Sequence, residues 1–273
     1  MKAMLVSLII STYNAPVALL RTLESVASQT EYPHEVIVAD DGSAEDTADV
    51  VRKFAESAPF TLRHVWHEDR GFRLGAIRNK AIAAAEGDYI VQIDGDILLH
   101  PRFVEDHRHY ARKGAFACGS RVLLGERLTE EIFRDGIRGI TPWTRDILNR
   151  KNALRSPMLA AAVGSIASGK LKYRGCNMAF WRDDLVAVNG YDENYSGWGC
   201  EDHDLVARLI NNGVKFLPLR HVAVCYHMWH PSSKEAESFD RNNRLLAETR
   251  SSGRTRCDNG LDNYLQHPLT VEK

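Results

Sequence analysis

The 273-residue chain has no run of about 20 apolar residues, the length a helix needs to cross a bilayer. The apolar stretch at its start halts at Ser11, before a secretory leader would be complete. Its five cysteines (Cys118, Cys176, Cys200, Cys225 and Cys257) are odd in number and include no CxxC pair. That excludes a disulfide-stapled miniprotein and points to a reducing compartment. Charge of one sign is also missing, with 35 Lys and Arg against 36 Asp and Glu. A dedicated nucleic-acid binder needs a clear cationic surplus, so nucleic acid is not an expected partner. Internal repeats and low-complexity tracts are absent, and the 44% hydrophobic content excludes disorder.

What is present alternates between two periods. Leu5 to Ile10 is a β-branched apolar run of the kind a strand buried on both faces requires. Pro16 then opens a helical spacing through Leu19, Leu20, Leu23 and Val26. The pattern recurs as strands at Glu35 to Ala39, Leu62 to Trp66 and Tyr89 to Ile93, with helices at Thr47 to Ala55, Ala76 to Ala85 and Phe103 to Tyr110. This predicts an α/β fold with an open, mainly parallel sheet that binds nucleotide at the carboxyl ends of its strands. From Gly125 to Lys172 the periodicity weakens, as in a helical excursion or lid. Beyond it, a strand is expected at Cys176 to Trp181, a helix at Glu201 to Asn211, and short strands at Val214 to Leu217 and His221 to Tyr226.

Polar clusters sit where these strands end. Asp94-Gly95-Asp96 leaves one strand with two carboxylates close together, whose mutual repulsion a divalent cation would relieve; taken alone, the same residues read more readily as a solvated turn. Asp40-Asp41-Gly42-Ser43 offers a carboxylate to a base or ribose, or simply an Asx turn. Arg70, Arg73 and Arg78 supply forked cations suited to a diphosphate, or to surface ion pairs. Gly197-Trp198-Gly199 is a flat apolar platform for a sugar face, and Glu201, Asp202 and Asp204 open the helix that follows. His227 and His230, three apart at a strand end, are two imidazoles that one cation would satisfy, or two ordinary histidines.

In this order the motifs resemble glycosyltransferase family 2, with its GT-A nucleotide-diphospho-sugar fold. Ser11-Thr12-Tyr13-Asn14, Asp40-Asp41-Gly42-Ser43, Arg70-Gly71-Phe72 through Arg78-Asn79, and Asp94-Gly95-Asp96 match the donor half. Arg174-Gly175-Cys176-Asn177-Met178, Gly190-Tyr191-Asp192 and Gly197 through Asp204 resemble the acceptor half of galactosyl- and N-acetylgalactosaminyltransferases and chondroitin-type polymerases.

The resemblance implies a single domain over residues 1–240. It divides into a donor half at 1–115 and an acceptor half at 116–240, with a lid at 125–172 and a C-terminal helix or tail at 241–273. It implies that Thr12, Tyr13, Asn14 and Asp41 hold uracil and ribose, that Arg70 and Arg78 approach the diphosphate, and that Asp94 and Gly95 lie by the ribose. Asp96 and His230 would ligate Mn²⁺ or Mg²⁺, with Asp94 and His227 as further candidates. Asp202 would be the general base, Glu201 would bond sugar hydroxyls, and Trp198, Gly199, Gly175 and Asn177 would contact acceptor or sugar.

The implied reaction is inverting transfer of a hexose or N-acetylhexosamine from a UDP-sugar of the galactose, N-acetylgalactosamine or glucose type. The implied acceptor is a glycan or lipid-linked glycan hydroxyl in bacterial lipopolysaccharide or capsule assembly. Cytoplasmic location with peripheral contact at the inner membrane face fits that role. A nucleotidyltransferase is the enzymatic alternative, though no Gly-rich basic loop follows the first strand. A glycan-binding module on the same scaffold is the other, and it would leave a base beside a metal site without a task.

Overall fold

The computed structural model describes residues 4–164, 173–231 and 236–266. Strands β1 (Val6–Thr12), β2 (Glu35–Asp40), β3 (Thr61–Trp66) and β4 (Tyr89–Asp94) alternate with helices α1 (Pro16–Ala27), α2 (Glu45–Ala55) and α3 (Leu74–Ala84). Every residue of β1 and β2 is buried, which is why these strands read as unbroken apolar runs. The chain continues through β5 (Ile97–Leu99), α4 (Phe103–Tyr110), β6 (Ala115–Gly119), β7 (Arg121–Leu124), α5 (Glu126–Asp135), β8 (Ile147–Leu148) and α6 (Pro157–Gly164). Next come β9 (Asn177–Trp181), α7 (Arg182–Ala187), α8 (Glu201–Asn211), β10 (Lys215–Leu219), β11 (Cys225–His227), α9 (Ala236–Ser252) and α10 (Asp262–Leu265).

Seven strands form the main sheet in the order β10-β6-β9-β4-β1-β2-β3, parallel throughout except for β9, which runs against both β4 and β6. Apolar residues on its two faces build separate cores, one against α1 and α2 and one against α3 and α8. A second sheet, β5-β11-β7-β8, has its own core with α5.

The Asp94-Gly95-Asp96 corner carries the chain from β4 into β5, and so from one sheet to the other. Register then fixes the neighbours. Ser11 lies opposite Asp94 and Thr12 opposite Asp40, so the polar ends of β1, β2 and β4 share one edge. His227 lies opposite Ile97, one residue beyond Asp96.

The expected excursion at 125–172 contains α5, β8 and α6, and the expected C-terminal helix is α9. Within 125–153, Leu128, Ile132, Ile147 and Ala153 are buried in the second sheet's core, while much of the stretch between them faces solvent. Residues 165–172 of the expected lid lie outside the described residues, as do 267–273 of the expected tail. The rest of that tail is bound to the domain. Arg254 in it reaches Asp192 at 2.8 Å and Asp204 at 3.3 Å, and Thr249 donates to Asp204 at 2.6 Å.

Candidate active site

Arg78 is the hub of the site. It rises from the first turns of α3 into the gap between the sheet edge and α8, with its side chain only 2% exposed. Its Nε donates to Ser11 Oγ at 3.1 Å, Nη1 to Asp202 Oδ1 at 3.1 Å and Nη2 to Asp94 Oδ1 at 2.9 Å. One planar fork thus fixes three elements. Burial opposes its charge, but the carboxylates of Asp202 and Asp94 more than offset this and hold it protonated. Its guanidinium also lies 5.3 Å from the centre of the Tyr191 ring.

Asp202 is held from a second side. The Tyr191 hydroxyl lies 2.9 Å from Asp202 Oδ1 and 2.6 Å from Gln92 Oε1, and shares its single proton between them. Gln92 in turn donates to the Gly175 carbonyl at 3.0 Å. Gly175 is glycine for a steric reason: a Cβ there would come 1.8 Å from Asp202 Oδ2. Glu201 begins α8 beside Asp202, where the helix amino terminus favours carboxylates. Burial and the adjacent Asp202 charge push its carboxyl up to about 7. Burial likewise raises Asp94, with Arg78 pulling it back.

A second cluster forms where the two sheets meet. Asp96 Oδ2 lies 3.2 Å from His230 Nε2 and 3.5 Å from His227 Nε2, and ligand atoms of all three residues fall within 4.8 Å of one another. The backbone enforces this, because Met228 N donates to Asp96 O at 3.0 Å. The Asp96 hydrogen bond holds His230 up to about 9, while burial lowers His227. Asp96 Oδ1 is buried with no hydrogen-bond partner. An orphaned carboxylate oxygen beside two imidazoles is a donor set that fits Mn²⁺. Both histidines therefore belong with Asp96, whereas Asp94 turns to Arg78.

The expected donor residues gather at the ends of β1 and β2. Tyr13 is exposed and donates to Asp69 Oδ2 at 3.0 Å. Asn14 receives Ala44 N on its side-chain oxygen at 2.9 Å, joining the two strand-end loops. Asp41 lies 2.7 Å from His67 Nε2 and accepts Arg73 N at 2.9 Å. The Thr12 hydroxyl is buried and unpartnered, and a Cβ at Gly95 would press within 3.0 Å of it. Arg70 is exposed and its guanidinium is engaged by Glu68 at 2.7 Å.

Trp198 projects from a loop with left-handed backbone at Gly197, Gly199 and Cys200 (φ 73°, 102° and 74°). Phe239 of α9 stacks on the Trp198 ring at 5.5 Å between centroids. Asn242 of α9 donates to Gly199 O at 2.9 Å and to Ser196 O at 3.2 Å.

Asn177 requires a correction. Expected at the acceptor, it is fully buried, and its amide is spent on Ala223 O at 2.9 Å and His107 Nε2 at 3.1 Å. It ties β9 to α4 and to the segment that leads into β11. Gln92, His67, Phe239 and Asn242 were missed. Of these only Gln92 had a signal, a lone amide inside the apolar run Tyr89 to Ile93.

A sequence profile described as glycosyl transferase family 2 matches residues 7–167. The chain belongs to glycosyltransferase family 2. A second profile, described as the N-terminal domain of galactosyltransferase, matches residues 156–231. Among curated relatives, the validoxylamine A glucosyltransferase of Streptomyces hygroscopicus subsp. limoneus is 30% identical over 232 residues, covering 77% of this chain and 49% of that protein. The chondroitin synthase of Escherichia coli is 27% identical over 261 residues, covering 85% of this chain and 36% of that protein. The chain thus spans half or less of these relatives. A solved mannosyltransferase, PcManGT from Pyrobaculum calidifontis in complex with GDP-Man and Mn2+, shares the fold at a TM-score of 0.56 and 18% identity, covering 91% of this chain and 73% of that one. The family 2 chain described here has the GT-A fold.

Proposed function

We propose that this enzyme is a metal-dependent, inverting glycosyltransferase that moves a hexose or N-acetylhexosamine from a UDP-sugar to a hydroxyl of a glycan or lipid-linked glycan. The observation that carries the reading is the fixed Asp202 carboxylate, bonded through Oδ1 to Arg78 and Tyr191 and linked by Arg78 to Asp94, at whose corner Asp96 gathers His227 and His230. An inverting displacement needs one carboxylate to accept the acceptor's hydroxyl proton as that oxygen attacks the anomeric carbon from the face opposite the diphosphate. Asp202 is suited to this because two donors hold Oδ1 and leave Oδ2 outside their grip. Arg78 keeps the carboxylate aimed, and Tyr191 completes its orientation.

Glu201, raised by burial, is available to hydrogen-bond sugar hydroxyls in either protonation state. Trp198 offers its face to a sugar ring, and Asp41, Tyr13 and Thr12 offer polar atoms to the base and ribose. Asp96, His227 and His230 would hold Mn²⁺ or Mg²⁺, which when bound stabilises the negative charge developing on the leaving diphosphate by several kcal/mol. The PcManGT complex, which holds Mn²⁺ and a nucleotide sugar, supports that assignment by fold. The chondroitin synthase relative supports a glycan acceptor and, with it, a role in bacterial polysaccharide assembly.

The test is Asp202→Asn. Turnover should fall about 10²–10⁴-fold, the usual worth of a positioned base, while thermal stabilisation by UDP with Mn²⁺ stays at the wild-type level. Near-normal turnover in that variant would remove Asp202 as base.

A further inference from the structure

Sixteen large hydrophobic side chains are exposed among the described residues, and six of them fall within 137–159. Trp143 and Met158 are the most exposed of all, at 82% and 84%. The same stretch is cationic in a chain of formal charge −1: Arg138, Arg145, Arg150, Lys151 and Arg155 stand against Asp146 alone. Neither the donor site nor the Asp96 cluster uses any of these residues.

Their arrangement separates apolar from charged groups outward. Arg138 is paired with Glu131 and Arg155 with Asp106, so the cations left facing solvent are Arg145, Arg150 and Lys151. The Asp146 carboxylate turns back to accept Leu128 N at 3.0 Å. β8 is the edge of the small sheet, with Ile147 inward and Leu148 outward. Arg150 donates to the carbonyls of Pro142 and Thr144 at 3.1 and 2.9 Å, which holds the Trp143 loop beside the turn that follows β8. Leu154 is six residues beyond Leu148, within about 20 Å even for extended chain. Ser156 N, bonded to His221 O at 2.7 Å, anchors the start of α6, whose sequence Pro157 to Gly164 contains no charged residue.

We propose that residues 137–164 form a docking surface for an anionic lipid bilayer. Trp143, Leu148, Leu154 and Met158 would enter the interface below the headgroups, and Arg145, Arg150 and Lys151 would reach lipid phosphates on their aliphatic stems. Charge complementarity selects this occupant, since exposed apolar side chains interspersed with exposed cations match an anionic interface. The surface is independent of the donor, metal and base assignments, so its test can fail without touching them.

The experiment is co-sedimentation of the intact chain with phosphatidylcholine vesicles prepared with and without phosphatidylglycerol. The chain should sediment with the anionic vesicles only, and less as salt rises to about 0.5 M. Trp143→Ser with Met158→Ser should weaken binding at least about tenfold, from the apolar area removed. Arg145→Glu with Lys151→Glu should weaken it by about fivefold or more per charge. Because these side chains point into solvent, melting temperatures should stay at the wild-type value. Absence of sedimentation with anionic vesicles overturns the proposal, as does equal sedimentation of wild type and both double variants. A dimer that Trp143→Ser with Met158→Ser dissolves, without vesicle binding, would assign the face to a second copy instead.

Discussion

Replacing Arg78 by Leu removes the only cation hydrogen-bonded to both Asp94 and Asp202 among the described residues. The arginine is buried, its partners lie 2.9 and 3.1 Å away, and Glu201 adds a third carboxylate to the same space. Breaking a buried pair by deleting one partner costs about 3–5 kcal/mol, because the remaining charge is left uncompensated. Asp94 is 35% exposed and water will share its charge, so the lower end of that range applies. For a domain of this size about 3 kcal/mol lowers Tm by roughly 6–12 °C.

The loss should depend on pH. Arg78 pulls down the Asp94 and Glu201 carboxyls, both of which burial raises. Without it they move higher still, so the penalty is full at pH 8 and shrinks as pH falls and protons replace the missing cation. Arg78→Lys should fall between, since one ammonium cannot span Ser11, Asp94 and Asp202 together. Urea unfolding of the three proteins at pH 8 and pH 5, with EDTA present, reads this directly. A Leu variant as stable as wild type, or one whose deficit is equal at both pH values, would refute the hub.

Two further outcomes follow from the same contacts. Asn242→Ala leaves the Gly199 and Ser196 carbonyls without their donor and should cost about 1–3 kcal/mol; saturation kinetics should show a raised KM, because the Trp198 loop loses its tie to α9. Glu201, raised to about 7 from an unfolded value near 4.5, binds its proton more tightly when folded. Its stability contribution is therefore complete below about 4.5 and lost as pH rises through about 7, and Glu201→Gln should flatten that slope in urea titrations of the metal-free protein.

The donor half was legible because its strands are buried on both faces. Such strands leave continuous apolar runs, and the polar clusters that end them mark the sheet edge. The helix expected from Glu201 to Asn211 matches α8 residue for residue, set by Gly199 before it and Gly213 after it. The second sheet was not legible. Its strands are two to four residues long, too short to establish a period, and they find partners only through contacts distant in sequence. Arg78 was visible as a cation but not as a clamp, because its bonds to Ser11 and Asp202 cross 67 and 124 residues of chain. Asn177 misled for a related reason. A polar residue inside a recognisable motif reads as a ligand contact, and only packing shows its amide consumed by Ala223 and His107.

The central claim is that a cation held at Asp96, His227 and His230 works with Asp202 to transfer sugar from UDP. It is tested most directly by measuring UDP release from UDP-galactose, UDP-N-acetylgalactosamine and UDP-glucose, with GDP-mannose read in parallel as GDP release, first with Mn²⁺ and then with EDTA. The account predicts release from a UDP-sugar that Mn²⁺ supports, EDTA abolishes and Asp96→Ala does not recover. Release that is unchanged by EDTA, or confined to GDP-mannose, would contradict it.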